Sequence, residues 1–512
     1  MTTDPETLIR DIGQRIARSS VYGSAIRTPL DFAPRLSSKL GNTVLLKRED
    51  LQPVFSFKCR GAENRIAQLV AERPIPGVVC SSAGNHAQGV ALAARRRDLR
   101  AVVVMPKRTA DIKVDAVMRL GAEILLHGET YDEAHQRAVE VAAEESLEFI
   151  HPFADPDVIA GQGTIAREIA KTWSAPPAAV FIPVGGGGLI SGMGVYLRQH
   201  HPGVRIIGVE PQDAASMHAA LAAERPVELE RVGTFADGVA VREVALQTMQ
   251  ICSQVVDEIL LVDTDEICAA IKDIFEDCRV VTEPSGALAV AGLKRYVESR
   301  RCDDERLVAV VSGANMDFNR MRHVAERAEI GEHREALFAV EIPERQGEFL
   351  AFCQALGERN ITEFNYRCSP TDSADIFVGV SLFEASEAGR VEQVLSGQGY
   401  AVTNLTGNEL AKLHIRHTVG GMRNDLSNER LYRFEFPERP GALLDFLRAV
   451  GANWNITLFH YRNHGSDYGR VLAGIQVPSA ELATFSEHLA SLGYPYWDES
   501  NNPAYRLFLN RG

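Results

Sequence analysis

At 512 residues the chain is too long for one ordinary domain and predicts two to four. Hydrophobic residues at 45% and charged residues at 24% are the balance of a soluble globular protein. A formal charge of -14 argues against a protein that wraps nucleic acid, because phosphate binding needs a concentrated basic face.

The opening MTTDPETLIRDIGQ has no basic segment followed by an apolar one, so no secretion signal is expected. The longest uncharged run, Thr172 to Leu197, is interrupted by Pro176, Pro177, Pro183 and a glycine cluster, and predicts strand, loop and helix rather than a membrane span. Eight cysteines without a C-x-x-C pair fit reduced thiols in a cytoplasmic protein. No zinc-type spacing occurs, His414-Ile415-Arg416-His417 is too little for a site, and no metal is expected.

From about residue 40 to about 320, short β-rich runs alternate with helical stretches. The first candidate functional residue falls here: Lys58, between Val54-Phe55-Ser56-Phe57 and Gly61-Ala62. Either its stem lies along apolar surface with the ammonium in water, or the amine is held in a pocket for chemistry. Then follow Val78-Val79-Cys80 before SSAGNH, AVVVMP (101–106), AEILLHG (122–128), AAVFIPV (178–184) before four glycines, RIIGVEP (205–211) and RLVAVVSGAN (306–315). Near-continuous apolar strands alternating with helices predict parallel sheet covered on both faces, with ligands at the carboxyl ends of the strands. SSAGNH, GGGGL and SGANM all fall at such ends.

A charged helical stretch, 322–336, reads as a connector, and beyond it the chain repeats itself. IPERQGEFLAFCQALG (342–357) matches FPERPGALLDFLRAVG (436–451), and NITEFNYR (360–367) matches NITLFHYR (455–462). Each copy predicts strand, turn, helix, strand, strand, helix, a small α+β unit made twice. A regulatory or assembly region is one reading; a duplicated packing module with no ligand is the other.

Gly185, Gly186, Gly187 and Gly188 end a strand and open a helix, where backbone N–H groups without Cβ atoms can approach an anion. No G-K-[ST] follows, and the last glycine of G-x-G-x-x-G is replaced by Ile190 or Ser191, so neither a nucleoside triphosphate nor a dinucleotide fits. A tight turn without ligand is the remaining alternative. A phosphate cradle, one desolvated lysine and no metal motif together fit a lysine Schiff base with pyridoxal phosphate.

SFKCRGA, SSAGNHAQGVA, GGGGLISG, VEP, TEPSGA and SGANMDF, in this order and spacing, resemble the serine/threonine dehydratases of fold type II over residues 20–320. The duplicated region resembles the paired ACT-like domains of biosynthetic threonine deaminases. The resemblance implies an α/β fold type II pyridoxal-phosphate catalytic domain of two open twisted subdomains (1–322). A helical connector (323–335) and two α+β ACT-like domains (336–425 and 426–512) would follow.

By the same resemblance Lys58 would carry the cofactor and remove the Cα proton, and Gly185, Gly186, Gly187, Gly188 and Leu189 would hold its phosphate. Asn85 would meet the pyridine 3′-oxygen and Ser312 the pyridine nitrogen, a serine there leaving the nitrogen largely neutral and favouring β-elimination. Ser82, Ala83, Gly84, Asn85 and His86 would hold the substrate carboxylate, with a helix cap at Ser81, Ser82 or Asn85 as the structural alternative. The cofactor phosphate would protonate the leaving hydroxyl.

The implied substrate is L-threonine, with L-serine as a second, and the product 2-oxobutanoate with ammonia. A feedback site for isoleucine, with valine as antagonist, would use Tyr366 and Tyr461, although both tyrosines could equally fill the core. A homotetramer is implied. Resembling serine racemases carry a serine base where this chain has Ala83, so dehydration without racemisation is expected. Their metal-binding aspartate is replaced by Ser216, six residues after Glu210. Cys59 is expected to be a small hydrophobe without catalytic role. A degradative serine/threonine dehydratase, disfavoured by the duplicated region, and an amino-acid sensor on a retired enzyme fold, disfavoured by Lys58, Asn85, the glycines and Ser312, are the competing readings.

Overall fold

The computed structural model describes residues 4–418 other than 358 and 370, residues 426–502 other than 438–441, 451–453 and 463–467, and residues 505 and 509. The chain divides into two compact units, Met1–Gly331 and Glu332–Gly512.

In the first unit, the apolar runs become two sheets. The larger has the order Leu30–Phe32, Thr43–Arg48, Arg306–Val311, Ala179–Pro183, Arg205–Pro211, Glu258–Val262, parallel throughout except for the antiparallel edge at Leu30–Phe32. The smaller runs Glu123–Leu126, Arg100–Met105, Gly77–Ser81, Glu148–Phe149, all parallel. Alternate residues of one strand enter different cores because successive side chains point to opposite faces. Phe181, Ile207 and Leu307 join one cluster, whereas Val180, Ile182, Ile206 and Val308 join another. Both faces are thus dry, which is why these strands carry no polar alternation.

Helices follow their sequence signals. Tyr131–Glu144 starts at a Thr130/Glu133 capping box, and Pro156–Thr172 at the Asp155 side chain. The helix Met321–Gly331, in the stretch expected as a connector, buries Val324, Ala328 and Ile330, with Val324 and Ala328 packed into the core of the first unit.

The second unit holds both repeats in one eight-stranded sheet. The first copy supplies strands Glu335–Pro343, Ile361–Arg367 and Ser373–Ser381 with helices Glu348–Leu356 and Glu387–Gly397. The second supplies Glu429–Pro437, Asn455–Arg462 and Tyr468–Gln476 with helices Ala442–Val450 and Leu482–Ser491. Each copy also ends in a short edge strand the repeat pattern did not predict, Ala401–Asn404 and Tyr496–Asp498. The copies join through Ile361–Arg367 and Asn455–Arg462, paired antiparallel with Phe364 opposite Tyr461, Asn365 opposite His460 and Tyr366 opposite Phe459. An aromatic core fills the helical face, with Phe349, Phe364 and Phe459 in mutual ring contact.

Candidate active site

Lys58 is the first residue of the helix Lys58–Glu72, entered from strand Thr43–Arg48 through a loop bent by Phe55 at φ 54. A positive φ is costly for an aromatic residue and needs outside support. That support is the loop after the neighbouring strand Arg306–Val311. Ala314 N donates to the Phe55 carbonyl at 2.9 Å, Phe57 N donates to the Ser312 carbonyl at 3.2 Å, and Ser56 bridges Gly313. Lys58 and Ser312 are therefore held together by backbone. The lysine amine is desolvated, which lowers its pKa to about 8 against the opposing field of Glu283.

The Lys58 ammonium donates to the Pro152 carbonyl at 3.1 Å. The next residue, Phe153, lays its ring against Gly186: a Cβ built there would lie 2.5 Å from both Cδ atoms. Residues 152–153 thus tie the amine directly to the glycine turn. Gly187, at φ 86, caps the helix Gly188–His200, and only glycine takes that conformation freely. The N–H groups of Gly188, Leu189 and Ile190 have no partner within the helix, which makes the turn an anion site.

Strand Gly77–Ser81 ends in the third loop. The helix Asn85–Arg95 opens at Gly84 without a side-chain cap, and Ser82 Oγ accepts from Gly84 N at 3.2 Å, bracing the turn from inside. Neither Ser81 nor Asn85 is the cap. A Cβ on Gly84 would meet nothing within 4 Å, so the turn faces open space. Ala83 packs its methyl toward the Cys80 and Val103 core. The buried His86 ring meets the Ile150 carbonyl at 2.8 Å, and burial beside Lys58 lowers its pKa to about 3, so the neutral ring donates there and serves as an anchor.

Ser312 is buried and donates to the Ser285 carbonyl at 3.2 Å, while the buried Ser285 Oγ itself has no protein partner. Glu283, Asn315 and Arg60, for which no role was expected from sequence, belong here. Asn85 Nδ2 donates to Glu283 Oε1 at 2.6 Å, and Asn315 Nδ2 donates to Asn85 Oδ1 at 2.5 Å. Arg60, two residues after Lys58, is fully buried and grips Glu49 (2.7 and 2.8 Å) and Glu168 (2.7 and 2.9 Å), with Lys47 as the second cation on Glu168 at 2.7 Å. In sequence Arg60 looks like any helical arginine. Only the fold brings together charges more than a hundred residues apart.

Two features touch the expected absence of a metal and the Cys59 reading. Glu210 accepts the N–H groups of Met217 and His218 at 2.9 and 2.8 Å, capping the helix Ser216–Ala223, and among the described residues no His/Cys/Asp/Glu group could hold a metal ion. Cys59 packs with Val21, Ala25, Val54 and Leu92, and burial pushes its thiol up to about 12, as for an inert core cysteine.

In the second unit, a recess open to solvent lies at the seam of the two copies. Ile342, Pro343, Arg345 and Tyr366 line it from the first copy, Leu447 and Trp454 from the second. Tyr366 donates its hydroxyl to Glu344 at 2.8 Å. Tyr461 is buried in the aromatic core and does not line this pocket. Most of the second copy's Pro-Glu-Arg-x-Gly turn, 438–441, lies outside the described residues.

The donor set fits pyridoxal phosphate: a lysine amine poised near neutrality, a glycine turn that rejects any side chain, and buried serine hydroxyls with capacity to spare. Comparison with known proteins agrees. Residues 21–313 match the pyridoxal-phosphate dependent enzyme family, and residues 326–415 and 421–509 match the C-terminal regulatory domain of threonine dehydratase. The biosynthetic L-threonine dehydratase of Burkholderia multivorans is 52% identical over 98% of this chain and 99% of that protein. The Escherichia coli counterpart is 51% identical over 96% of each. The processed threonine deaminase isoform 2 of Solanum lycopersicum superposes with a TM-score of 0.61 at 47% identity, over 64% of this chain and 94% of that one.

Proposed function

The chain belongs to the pyridoxal-phosphate-dependent biosynthetic threonine dehydratases, and on that premise we propose the residue roles and the effector of its reaction. That reaction is the elimination of water from L-threonine and the hydrolysis of the released enamine, through its imine, which returns the water and yields 2-oxobutanoate and ammonia at the committed step of isoleucine synthesis, under allosteric control. The carrying observation is the junction at Pro152–Phe153, where one residue holds the Lys58 amine and the next backs the glycine turn.

Bound pyridoxal phosphate supplies the electron sink that makes the Cα proton of threonine acidic. Gly185–Leu189 hold the phosphate by backbone N–H groups at the start of a helix. Asn85 donates to the 3′-oxygen, and Ser312 meets the pyridine nitrogen as a hydroxyl rather than a carboxylate. Lys58 takes the Cα proton. With its pKa near 8, about a quarter of such amines are neutral at pH 7.5, against about one in a thousand for an ordinary lysine. The N–H groups around Ser82–His86 bind the substrate carboxylate beside the open space at Gly84. Ala83 offers no proton donor, which supports elimination without racemisation.

Isoleucine is the effector, with valine as antagonist, and the recess at Tyr366 supports an amino acid there: an apolar wall of Ile342, Leu447 and Trp454, with Arg345, whose Nε donates to Glu348 at 2.7 Å, offering its remaining N–H groups to a carboxylate. Tyr461 holds the equivalent position in the second copy. L-serine is a second substrate, the working form is a cytoplasmic homotetramer, and the domains run 1–322, 336–425 and 426–512 around a connector at 323–335. Steady-state threonine titration with and without isoleucine, following the 2-oxo acid, tests the assignment. Full-length protein should be inhibited by isoleucine, and a chain ending at residue 331 should be active and insensitive. Isoleucine inhibition of that shortened chain would refute the effector site.

A further inference from the structure

We infer that Glu283 is a positioning residue that fixes which face of the Asn85 amide meets the cofactor. The inference rests on the reading that Asn85 contacts the cofactor 3′-oxygen.

An amide side chain can present either its oxygen or its nitrogen, and its surroundings decide which. Asn315 starts the chain of constraints. Its Nδ2 donates to the Val54 carbonyl at 2.9 Å, and a backbone carbonyl can only accept, so this end of the Asn315 amide is fixed as nitrogen. The second Nδ2 proton of Asn315 goes to Asn85 Oδ1. Asn85 must therefore aim its oxygen at Asn315. Its nitrogen then aims at Glu283, which accepts at 2.6 Å.

The Val54 carbonyl at one end fixes the orientation of Asn85, and at the other the ionised Glu283 carboxylate, its pKa raised to about 7 by burial and Asp237, accepts in the same sense. One Nδ2 proton of Asn85 remains for a ligand, so Asn85 meets the 3′-oxygen as a donor and not as an acceptor. A flipped amide would set its nitrogen against the Asn315 nitrogen and its oxygen against the ionised Glu283 carboxylate. Glu283 is itself built in: it is buried, its N–H donates to the Gly313 carbonyl at 3.3 Å, and a Cβ on Gly313 would lie 2.5 Å from its Oε1. Lys58, Lys113 and Asp237 are the charged groups whose fields reach it.

The test is a double-mutant cycle on the full-length protein. The dissociation constant of pyridoxal phosphate is measured by equilibrium dialysis, and the visible absorption of the bound cofactor is recorded alongside. Asn85→Ala and Glu283→Ala should each weaken binding roughly tenfold, the scale of one lost hydrogen bond to a charged group. The double variant should be no weaker than Asn85→Ala alone, with the same displaced absorption band. Glu283→Gln keeps an acceptor oxygen and should bind within about threefold of the parent. Additive losses, a silent Glu283→Ala beside a damaging Asn85→Ala, or a Glu283→Gln as weak as Asn85→Ala would each overturn the role of Glu283 while sparing that of Asn85. A silent Asn85→Ala would overturn both.

Discussion

Replacing Gly186 by alanine should damage cofactor binding through a residue that need never touch the cofactor. The added methyl would sit 2.5 Å from both Cδ atoms of Phe153 and nearer still to Cγ, whereas ordinary contact begins near 3.4 Å. About 1 Å must be found. Cγ lies on the χ2 axis, so spinning the ring frees nothing; the ring must swing about χ1 against the His151 ring, 4.8 Å away between centroids, or the backbone of 152–153 must move. That backbone carries the Pro152 carbonyl bound to the Lys58 amine. Overpacking of this kind costs about 1–3 kcal/mol, which, spent on holding the glycine turn open, weakens cofactor binding by about 5- to 150-fold. Titration of apoprotein with pyridoxal phosphate, followed by absorbance, measures it. Turnover at saturating cofactor should suffer less, and Phe153→Ala in the same chain should recover affinity. Unchanged affinity in Gly186→Ala, or no recovery in the double variant, would refute the coupling.

Other outcomes follow from the same geometry. The rate at which apoprotein takes up pyridoxal phosphate should rise with pH and level off above about 8, because desolvation lowers the Lys58 pKa and only the neutral amine reacts; stopped-flow absorbance with an inflection near 10.5 would contradict this. Trp454→Ala should weaken isoleucine inhibition at least tenfold without changing threonine kinetics in its absence, read from inhibition curves. Arg60→Met should cost about 3–5 kcal/mol, seen as a lower urea midpoint at pH 7, because it leaves buried Glu49 and Glu168 with Lys47 as their remaining shared cation. Although burial alone would raise the Glu168 pKa, Arg60 and Lys47 hold it at about 2, below its unfolded value. Its stabilisation is therefore present above about pH 4.5 and lost as pH falls toward 2, a decline that Arg60→Met should blunt.

The strands and the repeat were legible because their signals are local: a dry strand is a run of apolar residues, and a duplication keeps its Asn-Ile-Thr and its turn. Lys58 and the glycines were legible from their neighbours, a lysine after an apolar run and a strand-to-helix turn without Cβ atoms, and Ser312 through resemblance. Residues 152–153 carried no such signal, since a backbone carbonyl has no sequence identity and Phe153 reads as any apolar residue. Glu283 reads as the acidic start of a helix, and its meaning depends on an amide nearly two hundred residues earlier. The edge strands at Ala401–Asn404 and Tyr496–Asp498, three or four residues long, are too short for alternation to emerge.

The seam between the two copies resembles a symmetric dimer interface captured inside one chain. In a true homodimer the strand positions would obey the two-fold axis, and the pair on the axis would be one residue facing itself. Here Phe364 opposite Tyr461 and Tyr366 opposite Phe459 still mirror each other, but the central pair is Asn365 and His460. Joining the halves covalently replaces a concentration-dependent assembly with one at roughly millimolar effective concentration. It also releases each half from mutating in step with the other. Trp454 and Leu447 stand where the first copy has Arg359 and Cys353, so one side of the axis acquired an apolar recess while its mirror image was free to become something else.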